Sequence, residues 1–265
     1  MPFPNTRGKH AYEAFFSPAD YIAYLKEDGR WEDFSAPEGV LFVYSDWLLD
    51  RALARERSER RSPFAGELHL VQRDNGIFGV CGRFGIGAAI ASTLMEELIA
   101  IGVRRFISIG SAGALQPALG IGEIVLCDRA IRDEGVSHHY LKSGKFVRTS
   151  KALTAKLGKE LASMSTPVRH GATWTVDAPY RETVRELERY QAEGILTVEM
   201  EAAALAAVAT FRGVDFAAAF TISDSLAELT WSPRFGSEET RHGLELLYEA
   251  ATAALVQEPK PSPAP

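Results

Sequence analysis

Two glutamates flank a single methionine in Val198-Glu199-Met200-Glu201, where the apolar run ILTVEM (195–200) gives way to the alanine-rich EAAALAAVATF. Burying a carboxylate is costly unless it accepts hydrogen bonds. At such a junction a carboxylate has the lone pairs needed to bind two adjacent hydroxyls of a ribose. The plainer alternative is a negative charge stabilising the N-terminus of the helix that follows. A third carboxylate, Asp224, follows the apolar run VDFAAAFTI (214–222) in Thr221-Ile222-Ser223-Asp224-Ser225. It can cap the next segment or, if burial keeps it protonated, give a proton to a leaving group.

Two glycine-rich stretches stand beside these acids. Gly82-Arg83-Phe84-Gly85-Ile86-Gly87 opens a helix, and glycine lets backbone amides approach an anion there. Its spacing is not that of the dinucleotide fingerprint, so a tight turn is the equal alternative. Gly110-Ser111-Ala112-Gly113 lacks the spacing of a serine nucleophile elbow. It reads either as a turn or as a hydroxyl and amides lining a pocket floor. The segment Arg132 to Tyr140 carries His138 and His139, but adjacent histidines point apart on a strand and no matching ligand spacing occurs elsewhere. A loop bordering the pocket, without metal, is the expectation.

The elements that must carry these residues alternate. Ser17-Pro18 starts a helix; VLFVY (40–44) is a buried strand, and Asp46 caps the helical run after it. Strands at 67–72 and 77–81 flank Asp74-Asn75-Gly76, a hairpin signal. A helix with Ile90, Leu94, Leu98 and Ile101 on one face follows, then strands at 105–110 and 122–131, a helix near 150–163, and a strand into Trp174. A helix from Tyr180 to about Gln191, the strand and helix around Glu199 and Glu201, the strand 214–222 and a last helix over 238–255 complete the chain. Strands alternating with helices predict one α/β domain (1–255) with a mixed central sheet, and a disordered proline-rich tail (256–265). In such sheets ligands gather at the strand C-termini, where Ser111, Glu199, Glu201 and Asp224 all fall.

The composition, 46% hydrophobic and 24% charged over 265 residues, is that of an ordinary globular protein. A net charge of −6 argues against a nucleic-acid partner. The basic cluster Arg51–Arg61 is interleaved with Glu56 and Glu59 and reads as a solvated helix face. No apolar run reaches membrane-span length, and the start MPFPNTRGKH has no signal-peptide core. Cys81 and Cys127 lie in apolar runs, as buried thiols of a reducing compartment do. The expectation is a cytoplasmic protein with neither membrane nor nucleic-acid partner.

Together VEMEAAAL (198–205), GIGAAIASTLMEEL (85–98), FISIGSAGALQ (106–116) and TISDS (221–225) resemble the nucleoside phosphorylase family of purine nucleoside phosphorylases, uridine phosphorylases and methylthioadenosine nucleosidases, over residues 40–255. The resemblance implies a single α/β domain whose mixed sheet closes into a distorted barrel flanked by helices, and a homo-oligomer, dimer or hexamer. It implies that Glu201 binds the ribose 2′- and 3′-hydroxyls, Met200 packs under the sugar and Glu199 supports them. Asp224 matches the aspartate that meets N7 of a leaving purine. Gly110, Ser111, Ala112 and Gly113 would line the base and phosphate side, and Asp177, Pro179 and Tyr180 the base-proximal loop. Pro179 stands where the family often has a stacking phenylalanine, so Trp174 is expected to offer an aromatic face.

The chain departs from the family where phosphate is held. Leu49 and Ser108 occupy places where relatives carry arginines, and the first strand ends in Tyr44-Ser45-Asp46-Trp47 rather than Pro-Gly-Asp-Pro. Phosphate, the co-substrate, is then expected at Gly85, Ser111 and Arg61, with Arg60, Arg83 or Arg181 as substitutes and Arg60 or Arg61 donated by a neighbour. The implied activity is phosphorolysis of a purine nucleoside to base and ribose 1-phosphate, with no metal or organic cofactor. Two alternatives stay open: a nucleosidase using water, although only Asp46 lies near the place of that enzyme's catalytic glutamate, and a nucleoside-binding protein without catalysis.

Overall fold

Near-continuous apolar strands separated by helices must bury both sheet faces, which layered α/β architectures do. In the computed structural model, which describes residues 4–6, 8–61, 65–74, 76–164 and 166–256, the strands are β1 (Val40–Val43), β2 (Ser58–Arg61), β3 (Glu67–Arg73), β4 (Gly76–Gly82), β5 (Arg105–Ala114), β6 (Ile124–Asp133), β7 (Phe146–Arg148), β8 (Val168–Val176), β9 (Thr197–Glu199), β10 (Asp215–Ser225) and β11 (Ser232–Pro233). The helices are α1 (Pro18–Glu27), α2 (Asp46–Leu53), α3 (Ala88–Ala100), α4 (Ser137–Tyr140), α5 (Lys151–Ser163), α6 (Val184–Ala192), α7 (Ala202–Arg212) and α8 (Glu238–Leu255).

Five strands close a ring. β5 pairs with β9 and with β10, β10 with β6, β6 with β8, and β8 returns to β9. The pairings are mixed: β5–β10, β6–β8 and β8–β9 run parallel, whereas β5–β9 and β6–β10 run antiparallel. From β5 the sheet continues outward through β1, β4, β3 and β2. This is the expected mixed sheet closing into a barrel. Helices cover both faces because successive strand residues alternate. Phe106 of β5 joins a core with α3 and α7, while Ile107 and Ile109 join one with α2, α5 and α8.

Several local expectations are corrected. Ser45, not Asp46, caps α2, its hydroxyl accepting from the Leu48 amide, because Asp46 is already the first helical residue. The basic run is not one helix face: α2 ends at Leu53, and Ser58–Arg61 forms an edge strand on β3, where alternating charged residues are solvated. Gly110–Gly113 is no turn, since β5 runs through it to Ala114 with β10 alongside. His138 and His139 lie on the single turn of α4, not on a strand. The hairpin β3–β4 is present, but Asn75 of its turn lies outside the described residues, as do residues 257–265 of the expected tail. Among the described residues no helix is long and apolar enough to cross a membrane. Cys81 and Cys127 are both buried.

Candidate active site

The C-terminal ends of β5, β9 and β10 and the loop after β8 surround a cavity of about 570 Å³. It is lined by the glutamate pair. Glu199 ends β9, and both its oxygens are occupied by the protein: Oε2 accepts the amides of Glu201 and Ala202 at 2.8 Å each, and Oε1 accepts the Thr175 hydroxyl at 2.5 Å. Thr175 in turn accepts the Ala203 amide at 3.0 Å. Glu199 therefore supplies the anion at the start of α7, satisfying amides that would otherwise lack partners. That role releases Glu201. Its Oε1 accepts the amide of Gly87 at 2.5 Å, the Met200 backbone amide also bears on its carboxyl, and the side chain lines the cavity. Gly87 holds a φ of 109° as it does so, a conformation glycine adopts at little cost.

Burial raises both glutamates well above the ordinary carboxylate range, and the charge of Glu199 raises Glu201 further. Both are therefore more readily protonated than a free glutamate. Tyr44 faces the same acids, and its hydroxyl pairs with that of Ser108 at 3.1 Å. Burial first, then the charge of Glu201, pushes the Tyr44 phenol well up.

Asp224, which also lines the cavity, is buried in β10 beside a register shift. Ile222 pairs with Ala112, but Asp224 pairs with Gly113, so Ser223 is an extra residue. Such a bulge turns the following side chain off the face that Ile222 buries. Oδ1 of Asp224 accepts the Ser223 hydroxyl at 2.7 Å, and Oδ2 accepts the Trp231 indole N–H at 2.9 Å. Gly113 leaves the room: a Cβ there would stand 3.2 Å from Asp224 Oδ2 and 2.6 Å from Leu226 Cδ1. Glu182, half-buried after the loop that carries Pro179 and Tyr180, lines the same cavity near enough for the charge of Asp224 to act on it. Burial, then the neighbouring charge of Asp224, raises it to about 7.

Of the residues expected at the site, Glu199, Met200, Glu201, Gly110, Ser111, Ala112, Gly113, Pro179, Tyr180 and Asp224 all line this cavity. Trp174 does not. Strand alternation turns Thr173 and Thr175 toward β9 and sends Trp174 the opposite way, fully buried 4.8 Å from the Tyr190 ring with its N–H on Asp133. Trp231 and Phe235, absent from the sequence expectations, supply exposed aromatic surface at the cavity instead. Asp177 is likewise engaged elsewhere, accepting the Gly135 amide at 2.7 Å.

The anion side differs most. Among the described residues, no lysine, arginine or histidine lines the cavity, whereas Glu182, Glu199, Glu201 and Asp224 do. Arg61 pairs with Glu59 at 2.7 Å and lies over Phe34, and Arg60 pairs with Glu67 at 3.5 Å. Arg83 bridges Glu67 and Asp50. Leu49, in one of the relatives' arginine places, is fully buried against Gly82, and Ser108, in the other, is held by Tyr44. Gly85 is exposed next to Ile86, which reaches the cavity. Tyr44, Glu182 and Trp231 carried no motif; only their places after a strand end could have flagged them.

A model of the phosphorylase superfamily matches residues 61–256. A purine nucleoside phosphorylase of Plasmodium vivax is 28% identical over 183 residues, 68% of this chain and 71% of that one. A uridine phosphorylase of Salmonella typhimurium is 26% identical over 187 residues, 64% of this chain and 74% of the relative. Among solved structures, a purine nucleoside phosphorylase of Toxoplasma gondii in complex with immucillin-H superposes with a TM-score of 0.76 at 18% identity, covering 84% of this chain and 91% of that one, a likeness of fold.

Proposed function

The chain belongs to the phosphorylase superfamily, and from that premise we propose that it cleaves the N-glycosidic bond of a purine nucleoside by phosphorolysis, giving free base and ribose 1-phosphate. The observation that carries this reading is the division of labour within one cavity. Glu201 and Asp224, on different strand ends, line the same cavity, one held by the Gly87 amide and the other by the Ser223 hydroxyl and the Trp231 indole.

Cleavage of the C–N bond builds positive charge on the sugar as electrons flow into the base, so both ends need stabilisation in the transition state. Glu201 accepts the ribose hydroxyls, with Met200 beneath the sugar. Asp224 meets N7 and stabilises the base as it gains its proton. Phosphate, the co-substrate, lies against the amides and hydroxyl around Ser111 and Gly85, with an arginine such as Arg61 supplied by a neighbouring subunit of a dimer or hexamer. The chemistry requires no metal or organic cofactor, and the protein acts in the cytoplasm.

One observation favours a second reading, hydrolysis. A cavity lined by four carboxylates and, among the described residues, no basic side chain is a poor host for a phosphate dianion, whose desolvation cationic groups normally offset. The test incubates the protein with inosine or adenosine, with and without phosphate. Ribose 1-phosphate formed only with phosphate supports phosphorolysis. Ribose released at full rate without phosphate transfers the reading to hydrolysis, and tight binding without any product transfers it to a nucleoside-binding protein.

A further inference from the structure

Glu182 is a cavity carboxyl that no motif identified and for which the mechanism above has no use. It sits between the short 3₁₀ turn Pro179–Arg181 and the start of α6, and it lines the cavity close enough for the charge of Asp224 to act on it. No hydrogen bond or ion pair from the described residues engages its carboxyl, unlike Glu186 four residues later, which is consumed in the capping box of α6 with Thr183. Asp224 presents the reverse situation. Each of its oxygens already accepts a donor, Ser223 O–H on one and Trp231 N–H on the other. An oxygen so engaged is well placed to accept a further N–H from a base and poorly placed to supply a proton.

We propose that Glu182 is the general acid of the reaction, donating the proton to the leaving base while Asp224 accepts a hydrogen bond from the N–H so formed. The inference rests on the reading of the cavity as a nucleoside-cleaving site. As the C1′–N9 bond breaks, its electron pair passes into the purine ring. The Glu182 O–H proton moves to N7, and a phosphate oxygen forms the new bond to C1′. The Glu182 carboxylate then regains a proton from solvent, which its half-buried position permits.

The charges around Glu182 agree with that role. Asp224 on β10 and Glu186 on α6 both bear on it, and with burial they raise it to about 7, so a large share is protonated at neutral pH. The other acids of the cavity, Glu199 and Glu201, add no positive charge that would oppose this. A general acid works best when its protonation midpoint lies near the working pH.

The test compares Glu182→Gln with the wild type on inosine and on 7-methylguanosine, with phosphate present. The methylated ring already carries the positive charge and leaves without an N7 proton, so it needs no general acid. The expected result is a fall in kcat/KM for inosine of about 100-fold or more, the usual worth of a general acid, with a far smaller loss on 7-methylguanosine. The wild-type profile for inosine should also decline above about pH 7, and that limb should vanish in the variant. Equal losses on both nucleosides, or an unchanged pH profile, would overturn the proposal and leave Glu182 a structural role. Thermal melting of the variant confirms that it folds. If the wild type cleaves neither nucleoside, the underlying reading fails and the proposal goes with it.

Discussion

Glu199 and Glu201 are two residues apart, equally buried, and assigned opposite tasks by their hydrogen bonds. Glu199 accepts three hydrogen bonds and holds α7, whereas Glu201 accepts the Gly87 amide and faces the cavity. Above about pH 8, where Glu201 is charged, Glu201→Gln should therefore lower kcat/KM on a ribonucleoside by roughly 10- to 150-fold, the 1.5–3 kcal/mol of a hydrogen bond to a charged group. A 2′,3′-dideoxynucleoside, which lacks the hydroxyls, should show no such difference between variant and wild type. Near-wild-type turnover of the ribonucleoside would remove the ribose assignment.

The same substitution should change stability in the other direction. The folded-state midpoint of Glu201 is raised above its ordinary value of 4.5, so the native state holds more protons than the unfolded chain between those two values. Its contribution to stability is complete below 4.5 and is lost as pH rises toward about 8. Melting temperatures of the wild type should fall over that window by more than those of Glu201→Gln, which keeps an acceptor for Gly87 and has no charge to bury. Parallel curves for the two proteins would refute this account.

At the scale of elements, the packing of α8 on β10 decides where Asp224 stands. Gly243 of α8 crosses β10 so closely that a Cβ would lie 2.1 Å from Thr221 Oγ1 and 2.7 Å from its Cβ. In a free helix, alanine would gain about 1 kcal/mol over glycine. Here the clash is with a buried, β-branched side chain that cannot swing away, and overpacking of this kind costs about 1–3 kcal/mol. Gly243→Ala should thus destabilise on balance and shift β10 three residues before Asp224, lowering both the melting temperature and kcat. Thermal unfolding followed by circular dichroism measures the first, and a stability gain would show that the helix tilts away freely.

For the whole molecule, the closed ring of β5, β6, β8, β9 and β10 sets strand ends from distant parts of the chain around one cavity. Among the described residues, it sets no cation there. Tyr12, Phe15, Phe16, Tyr21 and Tyr24 are all exposed in the N-terminal part of the chain, and aromatic residues of this kind are what a partner copy buries. A second copy would cover them and could bring an arginine to the anion side. Light scattering at working concentration should give at least twice the chain mass, and phosphate should bind more weakly on dilution to the monomer. A monomeric mass throughout would exclude a borrowed arginine.

Much of this was legible in the residues themselves. The order of strands and helices follows from periodicity and turn chemistry, which are local, and α1, α3, α5, α7 and α8 stand close to where the pattern puts them. The acids Glu199, Glu201 and Asp224 were visible because strand-to-helix junctions carry them in short motifs. Which glutamate caps and which is free was not, because Gly87 meets Glu201 across 114 residues. Trp174 looked available to a base until the phase of β8 turned it into the core against Tyr190. Glu182 falls in the expected helix from Tyr180, but that helix starts only at Val184 and leaves Glu182 in the connection before it, as Trp231 is in the one after β10. Local sequence specifies elements through interactions within a few residues; the cavity is made of contacts between elements, and those exist only once the chain has packed.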